Sequence, residues 1–286
     1  MDNRFSSWSA EQFAIYFEQQ LLPILSGARQ RLDEFIEVKQ AALSPKDLLP
    51  IVLQDPLLCL RVLRTAEQKK SQRLERETTT VLAALLQLGD KEFKELLLSS
   101  ETVSEETPGL EKVIRRARIA SRLAQTWSRG RGDINPEEVT VAALLGGLGD
   151  ILLWIYAPEI PRRAEELFLS GEVPRSAKAQ MMICGFTFKE LTLLCAERWG
   201  LPTLINQLLR GSDSVRARIT RVCSNTARHV LDKSESAVHA LVNDMLEVCQ
   251  LITNTSPERL FEALYMLPEE RRQLVFDMTL SKLEKK

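Results

Sequence analysis

A chain of 286 residues, 44% of them hydrophobic and 27% charged, is long enough to bury a large core without disulfides or structural metals. Its formal net charge of −1 excludes a global electrostatic pull toward nucleic acid or an anionic membrane. The five cysteines stand singly at 59, 184, 195, 223 and 249, which points to neither a zinc site nor a disulfide framework, and reduced thiols are expected.

The N-terminus carries Asp2, Arg4 and Glu11 and builds no apolar stretch of a secretory signal, so a cytoplasmic protein is expected. Ser9 with Gln12 forms a capping-box pair that starts a helix over Phe13 to Leu22, with Pro23 as its stop or kink. Ser44-Pro45-Lys46-Asp47, Asn135-Pro136-Glu137-Glu138 and Ser256-Pro257-Glu258 share one helix-start signal. Each places a cap residue, then proline at the first helical position, then acid in the first turn. Leu241, Met245, Val248 and Ile252 recur at helical spacing, with Asn243, Asp244 and Glu247 on the opposite face. No segment alternates with period 2 between hairpin turns, so a sheet is not expected. The fold class is all-α.

Polar stretches interrupt this pattern at Glu67 to Glu77, at Ser99 to Gly109 and at Gly211 to Ser214. The second, acidic and ending in Pro-Gly, divides an N-terminal helical lobe over 1–105 from a second lobe over 106–286 that includes the C-terminal helices. The most apolar run, Val141 to Ala157, is short for a bilayer and carries Asp150 and three glycines. A central Asp costs about 2.5–3.5 kcal/mol on membrane insertion, so two buried helices meeting at a glycine turn are expected instead.

The segment Val139 to Pro158 resembles the centre of an HD-type phosphohydrolase, in which an apolar helix ends in Leu-Leu-His-Asp-Ile-Gly-Lys. Here the doublet positions are Gly146 and Gly147, followed by Gly149 and Asp150. The subfamily it most resembles is the HDOD domain, the HD-related output domain of bacterial signalling proteins. Asp55-Pro56 resembles the family's helix opening, and Gly89 the turn of its Ala-x-x-x-Leu-Gly segment. Gly185 with Phe188, and Trp199-Gly200-Leu201-Pro202, resemble its Gly-x-x-His and Trp-x-Leu-Pro stretches. The resemblance spans roughly residues 15 to 215 and implies a multi-helix HD-like domain with an N-terminal helical lobe.

The departures from the family lie where its chemistry would be. Phe188 stands where the family often has His, Ser212-Asp213 where a His-His pair would follow, Glu67-Gln68 in place of Asn-Ser, and Arg116 in place of another histidine. Glycine offers no metal ligand, and the chain's two histidines, His229 and His239, lie far from these positions. No metal, cofactor or catalytic residue is therefore expected. Gly146 and Gly147 are expected to let two helices approach closely, with Asp150 as a helix cap.

Local positive charge is concentrated in two segments. Arg115, Arg116, Arg118 and Arg122 lie on one helix, where Arg115, Arg118 and Arg122 share a face and Arg116 points elsewhere. Arg61, Arg64, Lys69, Lys70, Arg73 and Arg76 form the other group. Either could grip phosphate, although a solvated, salt-bridged surface is the simpler expectation. Trp127, Trp154 and Trp199 are expected as core anchors, and Cys184 and Cys195 as unreactive. What the resemblance implies is a non-catalytic regulatory or scaffolding module whose partners are other signalling proteins. The alternative is nucleotide, cyclic dinucleotide or nucleic-acid binding through the Arg-rich helix.

Overall fold

The first helix opens on the expected reciprocal cap: Ser9 Oγ accepts from the Gln12 N–H, and Gln12 Oε1 accepts from the Ser9 N–H. The computed structural model describes residues 5, 7–39, 44–69 and 77–284. Helix α1 (Ala10–Gln19) stops short of Leu22, because the chain then extends into β1 (Ile24–Leu25). That strand pairs in parallel with β2 (Thr102–Val103), Ile24 opposite Thr102 and Leu25 opposite Val103. Two residues per strand are too few to leave an alternating pattern, and β2 falls inside the stretch read as an acidic loop.

Between the strands run α2 (Ser26–Lys39), α3 (Pro45–Val52), α4 (Pro56–Gln68) and α5 (Val81–Leu98). Ser44 caps α3 as expected, with proline at its first position. Helix α5 is broken at Gly89, whose φ of 72° and ψ of 172° no helical residue adopts; this is the turn the family motif implies. Then follow α6 (Leu110–Ser128), α7 (Pro136–Leu145), α8 (Leu148–Tyr156), α9 (Glu159–Leu169), α10 (Ser176–Cys184) and α11 (Phe188–Arg198). The chain ends in α12 (Thr203–Arg210), α13 (Val215–Leu231), α14 (Glu235–Leu251), α15 (Pro257–Glu262) and α16 (Glu269–Leu283). The segment Pro136–Tyr156 has the length and apolar composition of a membrane span, yet 67% of its most apolar window is buried within the protein. The turn at Gly146–Gly147 divides it into α7 and α8, as the glycines lead one to expect.

Two compact units are interleaved in the sequence. One is Met1–Arg115 with Leu145–Asn206, the other Arg116–Leu144 with Gln207–Lys286. The polar loop at 99–109, where the sequence reading divides the lobes, lies inside the first of these.

In the first unit the fully buried Asp55 caps α4 and also joins it to β1. Its Oδ1 accepts from the Leu57 and Leu58 N–H groups at 2.8 and 3.0 Å, and its Oδ2 from the Leu25 N–H at 2.8 Å. Around α1, Phe5, Trp8, Phe13, Tyr16 and Phe17 pack with Phe186 and Tyr156, ring centroids 4.8–6.0 Å apart. Arg198 of α11 reaches back to Glu11 and Glu18 of α1 at 2.8 and 2.7 Å. In the second unit the predicted stripe of α14, Leu241, Met245, Val248 and Ile252, is buried with Ile219, Val222, Leu260 and Leu264. Trp127 anchors that core and donates its indole N–H to the Leu260 carbonyl at 3.0 Å. Asp244, read from the sequence as solvent-facing, is instead buried, because it pairs with His229 of α13.

Asp55→Ala is expected to lower the unfolding free energy by roughly 3 kcal/mol or more, since each buried donor left without an acceptor costs ~1–3 kcal/mol. Chemical denaturation of both proteins checks this; a loss no larger than that of an ordinary exposed cap would show that Asp55 does not couple β1 to α4.

Candidate functional site

The turn between α7 and α8 is where an HD-type enzyme would hold its metal, and it is made of backbone. Gly147 is the N-cap residue of α8, at φ −106° and ψ 18°, and its carbonyl accepts from the Ile151 N–H at 3.0 Å. A Cβ built on Gly147 would meet no atom within 4 Å. The expected close approach of helices through the doublet is therefore not found at Gly147. It occurs two residues later: a Cβ on Gly149 would lie 2.5 Å from the Phe188 carbonyl oxygen and 2.9 Å from the Thr192 nitrogen.

Gly149 is one of the first residues of α8, whose N–H groups have no partner within the helix. The Thr192 hydroxyl of α11 supplies one, accepting from the Gly149 N–H at 2.9 Å while donating to the Phe188 carbonyl at 2.9 Å. Only a residue without a side chain lets the two backbones meet at this bridge. Asp150, expected as a cap, lies instead within the first turn of α8, where a carboxylate favours the positive end of the helix.

The other motif residues resolve into local architecture. Gly185 ends α10 in the left-handed conformation, φ 79°, and Phe188 begins α11 with its ring buried where the family often has histidine. In Trp199-Gly200-Leu201-Pro202, the Gly200 N–H donates to the Glu197 carbonyl and the Leu201 N–H to the Ala196 carbonyl, both at 3.0 Å. With Gly200 at φ 62°, this is the paired C-terminal helix stop known as the Schellman motif, and Pro202 prevents continuation. Pro56 begins α4 beside the cap Asp55. Glu67 accepts from the Thr78 N–H at 2.7 Å, and Ser212 and Asp213 lie exposed before α13.

Trp199 is buried as an anchor, with the Arg64 guanidinium 5.8 Å from its ring centre; Trp154 is only half-buried. Burial, and then the neighbouring Arg64, lower the pKa of Arg61, whose side chain donates to the Leu22 carbonyl. Lys69 is ion-paired with Glu92, whereas Lys70, Arg73 and Arg76 lie outside the described residues. This segment does not gather its described cations at one point.

On α6, Arg115 and Arg122 are exposed, and Arg116 and Arg118 are half-buried. Arg122 stacks over Tyr265, 5.5 Å from the ring centre. Burial, and next the charge of Arg116, lower the pKa of Arg228 on α13. Neither Arg228 nor Tyr265 stands out in the sequence, because α13 and the turn after α15, which carry them, place them more than a hundred residues from Arg116 and Arg122 in the chain. His229 of α13 places its ring Nδ1 2.7 Å from Asp244 Oδ2 of α14, and His239 is exposed. Among the described residues, no group of three or more His, Cys, Asp or Glu side chains is placed to hold a metal ion.

The thiols are unsuited to nucleophilic work. Burial pushes Cys195 up to about 12 and raises Cys184, Cys223 and Cys249 above their ordinary value.

Comparison with known proteins gives the same architecture. The HDOD domain family matches residues 22–214. A virulence factor of Campylobacter jejuni subsp. jejuni superimposes with a TM-score of 0.70 at 13% identity, covering 93% of this chain and 98% of that one. The response regulator MmoQ of Methylococcus capsulatus str. Bath superimposes with a TM-score of 0.59 at 18% identity, covering 81% of this chain and 97% of that one. At such identities the likeness is one of fold. No curated protein sequence matches the chain.

Gly149→Ala is expected to destabilise the protein by about 1–3 kcal/mol, because the methyl group meets backbone that cannot turn aside. Gly147→Asp is expected to change stability by no more than about 0.5 kcal/mol, because it adds a cap-competent side chain in open space. Thermal melting of the two variants decides the point, and equal losses would contradict the assignment of the contact to Gly149.

The raised thiols also predict a pH dependence. The unfolded chain releases the Cys195 proton near 9 and the folded chain near 12, so this contribution to stability is complete below pH 9 and is lost as pH rises from 9 to 12. Denaturation midpoints measured across that window should fall, and by less in Cys195→Ala.

Proposed function

The chain belongs to the HDOD domain family, and from that premise we propose that it is a non-catalytic signal-transduction protein of the cytoplasm that acts by binding other proteins. The observation that carries this reading is the glycine doublet. Gly146 and Gly147 present no side-chain donor at the positions from which an HD enzyme would ligate its metal, and a Cβ built on Gly147 would meet no atom within 4 Å. Phe188 is likewise buried as an apolar residue where a histidine would serve, and the chain's histidines are engaged with Asp244 or exposed on α14. Metal-assisted hydrolysis needs several nitrogen or oxygen ligands converging on one ion.

The name of the MmoQ neighbour, a response regulator, supports placement in signalling. An HDOD chain of this kind passes a signal on by contact, and partner affinity then rests mainly on buried apolar and aromatic anchors rather than on rim charge.

The purified protein is expected to hold no stoichiometric divalent metal and to turn over no nucleotide or phosphodiester; about one tightly bound metal per chain, with hydrolysis lost on chelation, would overturn the reading. A triple Arg→Ala variant at 115, 118 and 122 should keep its fold and most of its affinity for a native protein partner. Salt-sensitive nucleotide or oligonucleotide binding that this variant abolishes would replace the scaffold by a nucleotide-binding role for α6.

A further inference from the structure

Helix α10 is apolar on the side that faces solvent as well as on the side it buries. Ala179 is buried, and Gln180 ties the helix to α11 by accepting from the Phe188 N–H at 3.0 Å. On the outer side Met181 and Met182 are 48% and 62% exposed. Ala177 and Met181, and likewise Lys178 and Met182, stand four residues apart, so the four side chains form one strip, with Arg175 three residues before Lys178 at its start. All five residues are exposed. Helix α9 packs against α10 within the same unit and ends in Phe168 and Leu169, which are exposed as well. A solvated helix face ordinarily carries polar residues, whereas this one offers flexible thioethers, which adapt to the shape of a partner.

The charge on the strip itself is positive. The acids of the neighbouring α9 are engaged, Glu165 with Lys112, and Glu159 and Glu166 with Arg162. Arg175 and Lys178 make no ion pair among the described residues. Arg175 also occupies the N-cap position of α10 and gives the helix no capping oxygen. The first-turn N–H groups, which form the positive end of the helix dipole, therefore lie beside two unpaired cations.

We propose that this strip of α10 is a docking surface for a helical segment of a partner protein that has apolar side chains along one face and acidic residues at one end. The proposal rests on the protein-binding role given above and says where on the chain that binding occurs. The acids meet Arg175, Lys178 and the uncapped start of α10, while the apolar face covers Met181 and Met182. A second copy of this chain fits less well, because a two-fold contact through the strip brings the same cations together. An anionic membrane gains no general attraction from a chain of net charge −1.

The experiment is fluorescence anisotropy of a labelled helical peptide, with leucines at helical spacing along one face and glutamates at one end, titrated with the full chain. Saturable binding is expected, and replacing the glutamates by lysines should weaken it about tenfold or more. The double variant Met181→Gln, Met182→Gln should also weaken it about tenfold, and Lys178→Glu should reduce or reverse the preference for the acidic peptide. Leu86→Gln, at an exposed apolar position of α5, should bind as wild type does. Thermal melting establishes that each variant is folded, and Lys178→Glu decides the matter if the double variant is not. No saturable binding to wild type, equal binding of the lysine peptide, or undiminished binding in the folded double variant would overturn the proposal. Tighter binding of phosphatidylglycerol vesicles that the double variant loses would replace the peptide by a membrane, and a wild-type dimer that the double variant splits on sedimentation would replace it by a second copy. A native protein partner whose affinity the double variant leaves unchanged would overturn this site alone and leave the protein-binding role standing. Metal-dependent turnover would count against that role whatever the peptide does.

Discussion

A carboxylate sealed from water at the start of α4 is the constraint on which the first unit depends. Asp55 has no solvent to stabilise its charge, and three backbone N–H groups take the place of that solvent: two from its own helix and one from β1, 30 residues earlier in sequence. A buried ion held this way is tolerated only while all its partners are present. The same contact therefore caps the helix, fixes where β1 lies and, through β1, aligns β2. Neutral residues of similar size would cap the helix without imposing that register.

The glycines around α8 separate two effects that look alike in sequence. At Gly147 the missing side chain leaves space; at Gly149 it lets α8 and α11 share a threonine hydroxyl. Within one short turn, then, one glycine stands in open space and another, two residues on, leaves no room for a side chain.

Features determined by neighbouring residues were legible in the sequence, and those determined across the fold were not. The helix starts at Ser9, Ser44 and Pro136 follow from local capping rules, and the Gly89 break and the stripe of α14 from φ preference and periodicity. The all-α class and the family resemblance rested on many such signals and stood. The third bond of Asp55, the strand pair, and the aromatic packing about α1 join residues that carry no mutual signature. Asp244 was read as solvent-facing because charge on the outer stripe of a helix usually is, yet a histidine 15 residues away holds it inside. The division into two units was similarly hidden, because both consist of the same kind of helix.

Interleaving has a consequence for the order in which the chain is made. The first 115 residues leave the ribosome without α8 and α11, against which α1 packs, so part of the buried face of the early helices stays uncovered until α11 has been synthesised. Residues 116–144 wait longer still, for helices that end near the C-terminus. Domains generally close from the N-terminus as synthesis proceeds. Here neither unit can close on its own segment, and the nascent chain carries apolar helices in search of partners for most of its synthesis, the condition in which chaperone engagement matters most.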